Sequence, residues 1–231
     1  MSVKLSAVVV AAGRSQRFNQ AREGDSSRLS KQLASWDGKP LFVHTLEALS
    51  VLPIIEWSLV IHPDEEDVIR ENLNKFFSDL KIKIVNGGKR RQDSVRNGLE
   101  ALEACDMVLI HDAARPFLSS DFLKNIFEKA KSVDALIPTM PIVETLKEID
   151  STGKVLRTQD RNRFVRVQTP QFFKFDLIMA AHEKLKNSSE DFTDDAAVME
   201  ACGYVVQTAS GILENIKVTL PEDLRSRGIH V

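Results

Sequence analysis

Three short polar segments, each following an apolar run, carry the residues best suited to chemistry in this chain. The first reads Ala11-Ala12-Gly13-Arg14-Ser15-Gln16-Arg17-Phe18, with Lys31-Gln32 further on. Small residues let a ligand approach the main chain, whose N–H groups can then hold phosphate oxygens. Arg17 and Lys31 add two separated cations suited to the charge of a triphosphate. The pattern is neither G-x-x-x-x-G-K-[ST] nor G-x-G-x-x-G, so it supports neither a P-loop nor a nicotinamide cofactor. Taken alone, the segment is explained equally well as a strand-to-loop turn with solvated charges. The second segment reads Gly87-Gly88-Lys89-Arg90-Arg91-Gln92-Asp93-Ser94. Its glycines allow close approach to a flat base, and Ser94 can hydrogen-bond a base edge or a ribose. A plain turn, with Asp93 or Ser94 in a first helical turn, is the simpler account of it in isolation. The third is His111-Asp112-Ala113-Ala114-Arg115-Pro116. A carboxylate at the end of a buried strand can hold Mg²⁺; the alternative is that Asp112 pairs with Arg115. Arg161, Lys217 and Thr193-Asp194-Asp195 read more blandly, as a solvated arm, a strand-edge lysine and a helix cap.

The elements that must position these segments follow from periodicity. Residues 5–12 form a valine-rich apolar run bounded by glycine, which suits a strand buried on both faces. Strands are further predicted at 57–61, 81–85, 107–110 and 135–138, with helices at 41–52, 64–77, 92–104 and from Ser119 or Ser120 to about Lys131. This alternation predicts an α/β fold, Rossmann-like, with a mostly parallel twisted sheet flanked by helices. Such sheets bind ligands outside the carboxyl ends of their strands, so the three segments fall on one rim. Residues 139–166 break the rhythm. Two alternating stretches around Asp150-Ser151-Thr152-Gly153 read as a β-hairpin that projects as an arm. An isolated hairpin is marginal in water, so the arm is expected to pack against something, such as a second subunit. Helices at 172–185 and 194–201, and short strands at 204–208 and 216–218, complete the reading. A last helix is capped by Thr219 with Glu222 and ends near Gly228.

Composition narrows the class. The chain has 231 residues with 43% hydrophobic and 28% charged, and a formal net charge of -2. That suffices for one domain over 1–231, and the near-neutral balance argues against a nucleic-acid partner. No apolar run reaches the roughly 20 residues of a membrane span, and no signal-peptide pattern opens the chain. A cytoplasmic location is expected. Cys105 and Cys202 lie far apart, and the histidines show no metal-ligand spacing, so neither a disulfide nor a zinc site is expected.

In order, the segments read A-A-G-x-x-x-R, K-Q, G-G-x-x-R-x-x-S-V, H-D-A-A-R-P, E-T-x-K, T-P-Q-F-F, T-D-D and N-I-K-V-T-x-P-E-D-L. Together they resemble the 2-C-methyl-D-erythritol 4-phosphate cytidylyltransferases of the non-mevalonate isoprenoid pathway, from Ala11 to Leu224. The resemblance implies a nucleotide-transferase fold and a homodimer whose arm reaches the partner's site. It implies that Arg17, Lys31 and Lys217 stabilise charge on the phosphates of CTP, and that Asp112 binds Mg²⁺. Ala11, Ala12, Gly13, Gly88, Ser94 and Ala113 would lie around the nucleotide. Arg115, Thr145 and Arg161 would hold methylerythritol phosphate, the last two from the neighbouring arm, with Arg161 also counted among the catalytic groups. The chain departs from the family pattern at Ser15 and at Glu144. Its segment between Arg17 and Lys31 is longer and more polar than usual and reads as a lid. The nearest rival is a cytidylyltransferase for another polyol phosphate, such as ribitol 5-phosphate; the small residues after Asp112 favour the methylerythritol enzymes. A non-catalytic nucleotide binder is the rival of another class, against which Arg17, Lys31, Asp112 and Lys217 argue.

Overall fold

A computed structural model describes residues 3–13, 18 and 30–229. The elements run β1 (Leu5–Val10), a 3-10 turn (Lys31–Leu33), β2 (Ser35–Trp36), β3 (Lys39–Pro40), α1 (Leu41–Leu49), β4 (Ile54–Ile61), α2 (Glu66–Phe76), β5 (Ile82–Asn86), α3 (Arg91–Glu100) and β6 (Met107–Asp112). They continue with α4 (Ser120–Ala130), β7 (Ala135–Pro141), β8 (Leu146–Ile149), β9 (Val155–Gln159), β10 (Val165–Val167), β11 (Gln171–Lys174), α5 (Phe175–Leu185), α6 (Asp195–Ala201), β12 (Gln207–Ser210) and α7 (Pro221–Arg225).

Among the described residues, the main sheet follows the order β10-β7-β11-β6-β1-β4-β5, with β12 also on β7. β1 pairs in parallel with both β4 and β6, and β5 pairs in parallel with β4. Both faces are covered, which is why the central strands read as continuous apolar runs. Ala7 and Val9 face a core built with Phe42 and Leu46 of α1, Ile69 of α2 and Leu123 of α4. Val8 faces the opposite core, with Val95 and Leu99 of α3 and Ile178 of α5. At Gly98 of α3 a Cβ would stand 2.7 Å from both Val8 Cγ1 and Val60 Cγ2, so glycine lets this helix lie tight on the sheet. A third, smaller apolar cluster joins Phe18, Leu41, Val218 and Leu224 at the rim.

The predicted alternation and the projecting hairpin are present: β8 pairs antiparallel with β9 and leaves the main sheet. Ser119 caps α4, its hydroxyl accepting from the Phe122 N–H at 3.3 Å. Four predictions need correction. Residues 172–174, expected to begin a helix, form β11, which lies antiparallel between β6 and β7. Phe172 and Phe173 there are fully buried on opposite faces, a strand alternation too short to separate from the helix that follows. The strand expected at 204–208 lies at Gln207–Ser210 instead. Residues 216–218 are not a strand. A backbone bond ties that segment to the loop after β6, the Val218 N–H donating to the Ala114 carbonyl at 2.8 Å, and the turn before it is held by Gln168 Nε2, which donates to the carbonyls of Ile212 at 2.8 Å and Asn215 at 3.1 Å. The last helix is closed by Asp223 rather than Glu222, its Oδ2 accepting from the N–H groups of Thr219 at 2.7 Å and Leu220 at 2.8 Å. Of the expected lid only Phe18 and Ser30 are among the described residues, and Ser15 is not.

Candidate active site: two cavities meeting at one carboxylate

Strand register sets the rim. Val10 sits opposite Val60 and Asp112, and Ile61 opposite Asn86, so the loops after β1, β4, β5 and β6 leave the sheet side by side. A cavity of about 670 Å³ opens there, lined by Ala12, Gly13, Lys31, Gly87, Gly88 and Ser94 among others. Gln32 holds the first loop by donating to the carbonyl of Ala11, and to that of Gly13 at 3.2 Å. Ala11 itself is buried beneath the loop. A Cβ at Gly87 would stand 2.3 Å from Ala12 Cβ, and one at Gly88 would stand 2.4 Å from Asp93 Cβ. Gly87 is therefore required where the two loops pack across the cleft, and Gly88 where its own loop turns into α3. Ser94 Oγ accepts from the Gly88 N–H at 3.0 Å and lies 3.1 Å from the Arg90 carbonyl, so the hydroxyl also fixes the glycine loop.

At the inner end of this cavity stands Asp112. Its Oδ2 is 2.8 Å from Lys217 Nζ and 3.7 Å from Arg115 Nε, and its Oδ1 is 3.6 Å from Arg91 Nη2. Burial pushes its carboxyl up, but Lys217, Arg91 and Arg115 outweigh burial and hold it far below the usual carboxylate range. Among the described residues the alternative pairing with Arg115 is thus one of three cationic contacts, and Lys217 is the nearest. Beyond Asp112 lies a second cavity of about 400 Å³, lined by Arg115, Gln168, Thr169, Thr193 and Asp194. Arg91, Asp112 and Lys217 line both cavities.

The carboxylate is aimed by a buried network. The Asp112 N–H donates to Thr169 Oγ1 at 3.2 Å. His111 is fully buried, with Nε2 3.1 Å from the Arg115 carbonyl and Nδ1 2.9 Å from Thr169 Oγ1. A carbonyl only accepts, so Nε2 carries the proton and Nδ1 accepts from the threonine hydroxyl. Burial pushes the His111 ring down to about 4. Arg115 Nη1 donates to the Asn215 carbonyl at 3.0 Å, and Asn215 Nδ2 to the Thr169 carbonyl at 2.8 Å. The Val218 N–H donates to the Ala114 carbonyl at 2.8 Å, which sets Lys217 beside Asp112.

Of the residues singled out from sequence, Ala12, Gly13, Lys31, Gly88, Ser94, Asp112 and Lys217 line the first cavity, and Arg115 lines the second. Ala113 is fully buried and carries the loop, accepting from Thr45 Oγ1 at 2.8 Å, while its neighbour Ala114 faces the cavity. Arg17 lies outside the described residues. Thr145 and Arg161 stand exposed on the arm, where Arg161 Nη1 donates to the Val143 carbonyl. Within one chain they line neither cavity. Sequence reading gave no role to Arg91, His111 or Thr169. Each is a fixed letter of a quoted motif, Arg91 in G-G-x-x-R-x-x-S-V, His111 in H-D-A-A-R-P and Thr169 in T-P-Q-F-F, but the letters alone carried no contact.

No helix among the described residues is long and apolar enough to cross a membrane. A family model described as 2-C-methyl-D-erythritol 4-phosphate cytidylyltransferase matches residues 5–229. A protein of that name from Clostridium botulinum (strain Loch Maree / Type A3) is 40% identical over 223 residues, covering 96% of this chain and 94% of its own. One from Alkaliphilus metalliredigens is 37% identical over 224 residues, covering 96% and 90%. The chain spans about half the length, 53%, of a Rhizobium leguminosarum relative named as a bifunctional enzyme, to which it is 41% identical over 222 residues. The crystal structure of 4-diphosphocytidyl-2C-methyl-D-erythritol synthase from Anaerococcus prevotii superposes with a TM-score of 0.80 at 32% identity, covering 96% of this chain and 94% of that one. With this match along nearly its whole length, and with the motif residues gathered on one rim, the chain belongs to the 2-C-methyl-D-erythritol 4-phosphate cytidylyltransferase family.

Proposed function

We propose how this chain carries out its family's reaction, the transfer of CMP from CTP to 2-C-methyl-D-erythritol 4-phosphate with release of pyrophosphate. The observation that carries the assignment is the meeting of two cavities at Asp112 and Lys217. CTP occupies the larger cavity, with its base and ribose against Ala12, Gly88 and Ser94 and its phosphates toward Lys31 and Arg17. The acceptor occupies the smaller one against Arg115. A phosphate oxygen of the acceptor attacks the α-phosphorus in line. The bond to the bridging oxygen of the β-phosphate breaks, and its electron pair leaves on pyrophosphate. A phosphate monoester has its second pKa near 6, so the attacking oxygen is already anionic and needs no strong base. Catalysis then rests on positioning and on fixed cations around the charge that develops. Lys217 stands at the junction and serves both phosphates.

Asp112 also fits the role of magnesium ligand. Magnesium is commonly held by one or two carboxylates together with substrate phosphates, and no cluster of three or more His, Cys, Asp or Glu side chains gathers among the described residues to cage it. Bound there, Mg²⁺ would neutralise phosphate charge. One domain over 1–231 carries the activity, and the arm at 139–166 completes the site of a second subunit with Thr145 and Arg161. The arm's apolar exposure supports this: Val143 is 63% exposed, Ile149 58% and Leu156 55%. The unpaired Cys105 and Cys202 fit a reducing compartment such as the cytoplasm.

Subunit complementation tests these roles together. Lys217→Ala and Arg161→Gln each lower kcat at least about a hundredfold, the scale of losing one transition-state charge contact. Co-expressed, the two inactive chains form dimers in which one cleft and one arm are both intact. Recovery of roughly a quarter of the sites is expected. No recovery would contradict the shared site, and near-normal turnover in Lys217→Ala would contradict its role.

A further inference from the structure

Among the described residues, Arg91 is the one cation at the junction that a buried counter-charge fixes from behind. Its Nη2 lies 2.8 Å from Asp195 Oδ2 and 3.6 Å from Asp112 Oδ1. Asp195 opens α6 and is fully buried; its Oδ1 lies 3.5 Å from Nε2 of His182, itself 4% exposed. The Asp195 N–H donates to Gln171 Oε1 at 3.2 Å, which ties it to the sheet. A fully buried carboxylate is destabilising unless it is paired, and replacing the whole ion pair by apolar side chains of similar volume would hold the helices as well. Stability alone therefore gives no reason for this aspartate. The neighbours of Arg91 add a second reason to look for a task. Arg90 Nη1 donates to the carbonyls of Ser188 at 2.8 Å and Glu190 at 3.1 Å, and Gln92 Nε2 to the latter at 3.0 Å. Those two side chains already clamp the segment before α6 to the start of α3. Arg91 is not needed for that clamp, and its guanidinium lines both cavities.

We propose that Arg91 is a further catalytic residue, contacting the acceptor's phosphate where the cavities meet, and that Asp195 is the positioning residue that aims it. This rests on the assignment of the two cavities to CTP and the acceptor. Bringing the acceptor's phosphate to the α-phosphate sets two anions against each other, and a guanidinium fixed between them offsets that repulsion. Its planar fork can keep one N–H on Asp195 while another meets a phosphate oxygen. An ammonium at the same position is a point charge on a flexible stem and cannot keep both contacts in that geometry.

Steady-state kinetics of Arg91→Lys and of the charge-neutral pair Arg91→Gln/Asp195→Asn test this. The first keeps the charge beside Asp195, and the second strands neither charge, so both variants remain folded chains to assay. The wild-type chain is assayed first, and its turnover of methylerythritol phosphate establishes the reading on which the proposal rests. KM for the acceptor is expected to rise about tenfold or more in both variants, with KM for CTP within about twofold of wild type, the scale of one charge-assisted hydrogen bond. Adding Asp195→Asn to Arg91→Gln is expected to change acceptor kcat/KM by less than about twofold, because Asp195 acts through Arg91. Unchanged acceptor kinetics in Arg91→Lys would overturn the proposal. So would a parallel rise in both KM values with a lowered Tm, the mark of a merely structural tie.

Discussion

Protonation of His111 would set two N–H donors into a network built for one. Neutral, the ring accepts from Thr169, whose oxygen in turn accepts from the N–H of Asp112. Charged, it would turn the threonine hydroxyl away from that chain and leave a cation buried beside Arg115. Burial holds the ring near 4 against an ordinary 6.5. The unfolded chain thus binds a proton that the folded chain refuses, and stability falls as pH drops from about 6.5 toward 4. This one group accounts for about 3 kcal/mol across that window. Urea unfolding of the wild-type chain is expected to show that slope, and His111→Gln to lack most of it. Parallel pH profiles for the two chains would contradict the buried neutral ring. Asp112 does not share the window, because its carboxyl already lies far below the usual range. Asp112 was legible from its place after an apolar run. His111 and Thr169 were not, because their roles depend on a contact across 58 residues.

Elements differ in the same way. The parallel strands were legible because burial on both faces demands long apolar runs, and β1, β4 and β6 have them. β11 was not, since its four residues run into α5 with no turn between them and Phe172, Phe173 and Phe175 read as one apolar stretch. Residues 216–218 look like a strand and are apolar enough for one, yet Gln168 and Asn215 satisfy the surrounding backbone through side chains. Glycines were read as permissive for a ligand, but only packing shows which is indispensable. Gly87 sits where the β5 and β1 loops touch, its N–H donating to the Ile61 carbonyl at 2.8 Å. A Cβ there would press on Ala12 Cβ at 2.3 Å and on Ser94 Oγ at 3.1 Å, forcing the cleft's two walls apart. Gly87→Ala is expected to raise KM for CTP about tenfold and to destabilise by about 1–3 kcal/mol, the usual scale of overpacking. CTP affinity equal to wild type would show that the loop contact does not shape the nucleotide cavity.

At the scale of the whole molecule, the two cavities and the arm describe a division of labour. The doubly covered sheet is a rigid floor whose strand ends place Asp112 within reach of cations from three other elements or loops. Thr145 and Arg161 stand on the arm and line neither cavity of their own chain, which is the arrangement the proposed shared site calls for. The central claim is that this arrangement transfers a cytidylyl group to one particular polyol phosphate. Its most direct test is pyrophosphate release with CTP and Mg²⁺, comparing methylerythritol 4-phosphate, ribitol 5-phosphate and no acceptor. Rapid release with methylerythritol 4-phosphate and only background release in the other two arms is the predicted result; release with ribitol 5-phosphate instead, or with neither acceptor, would contradict it.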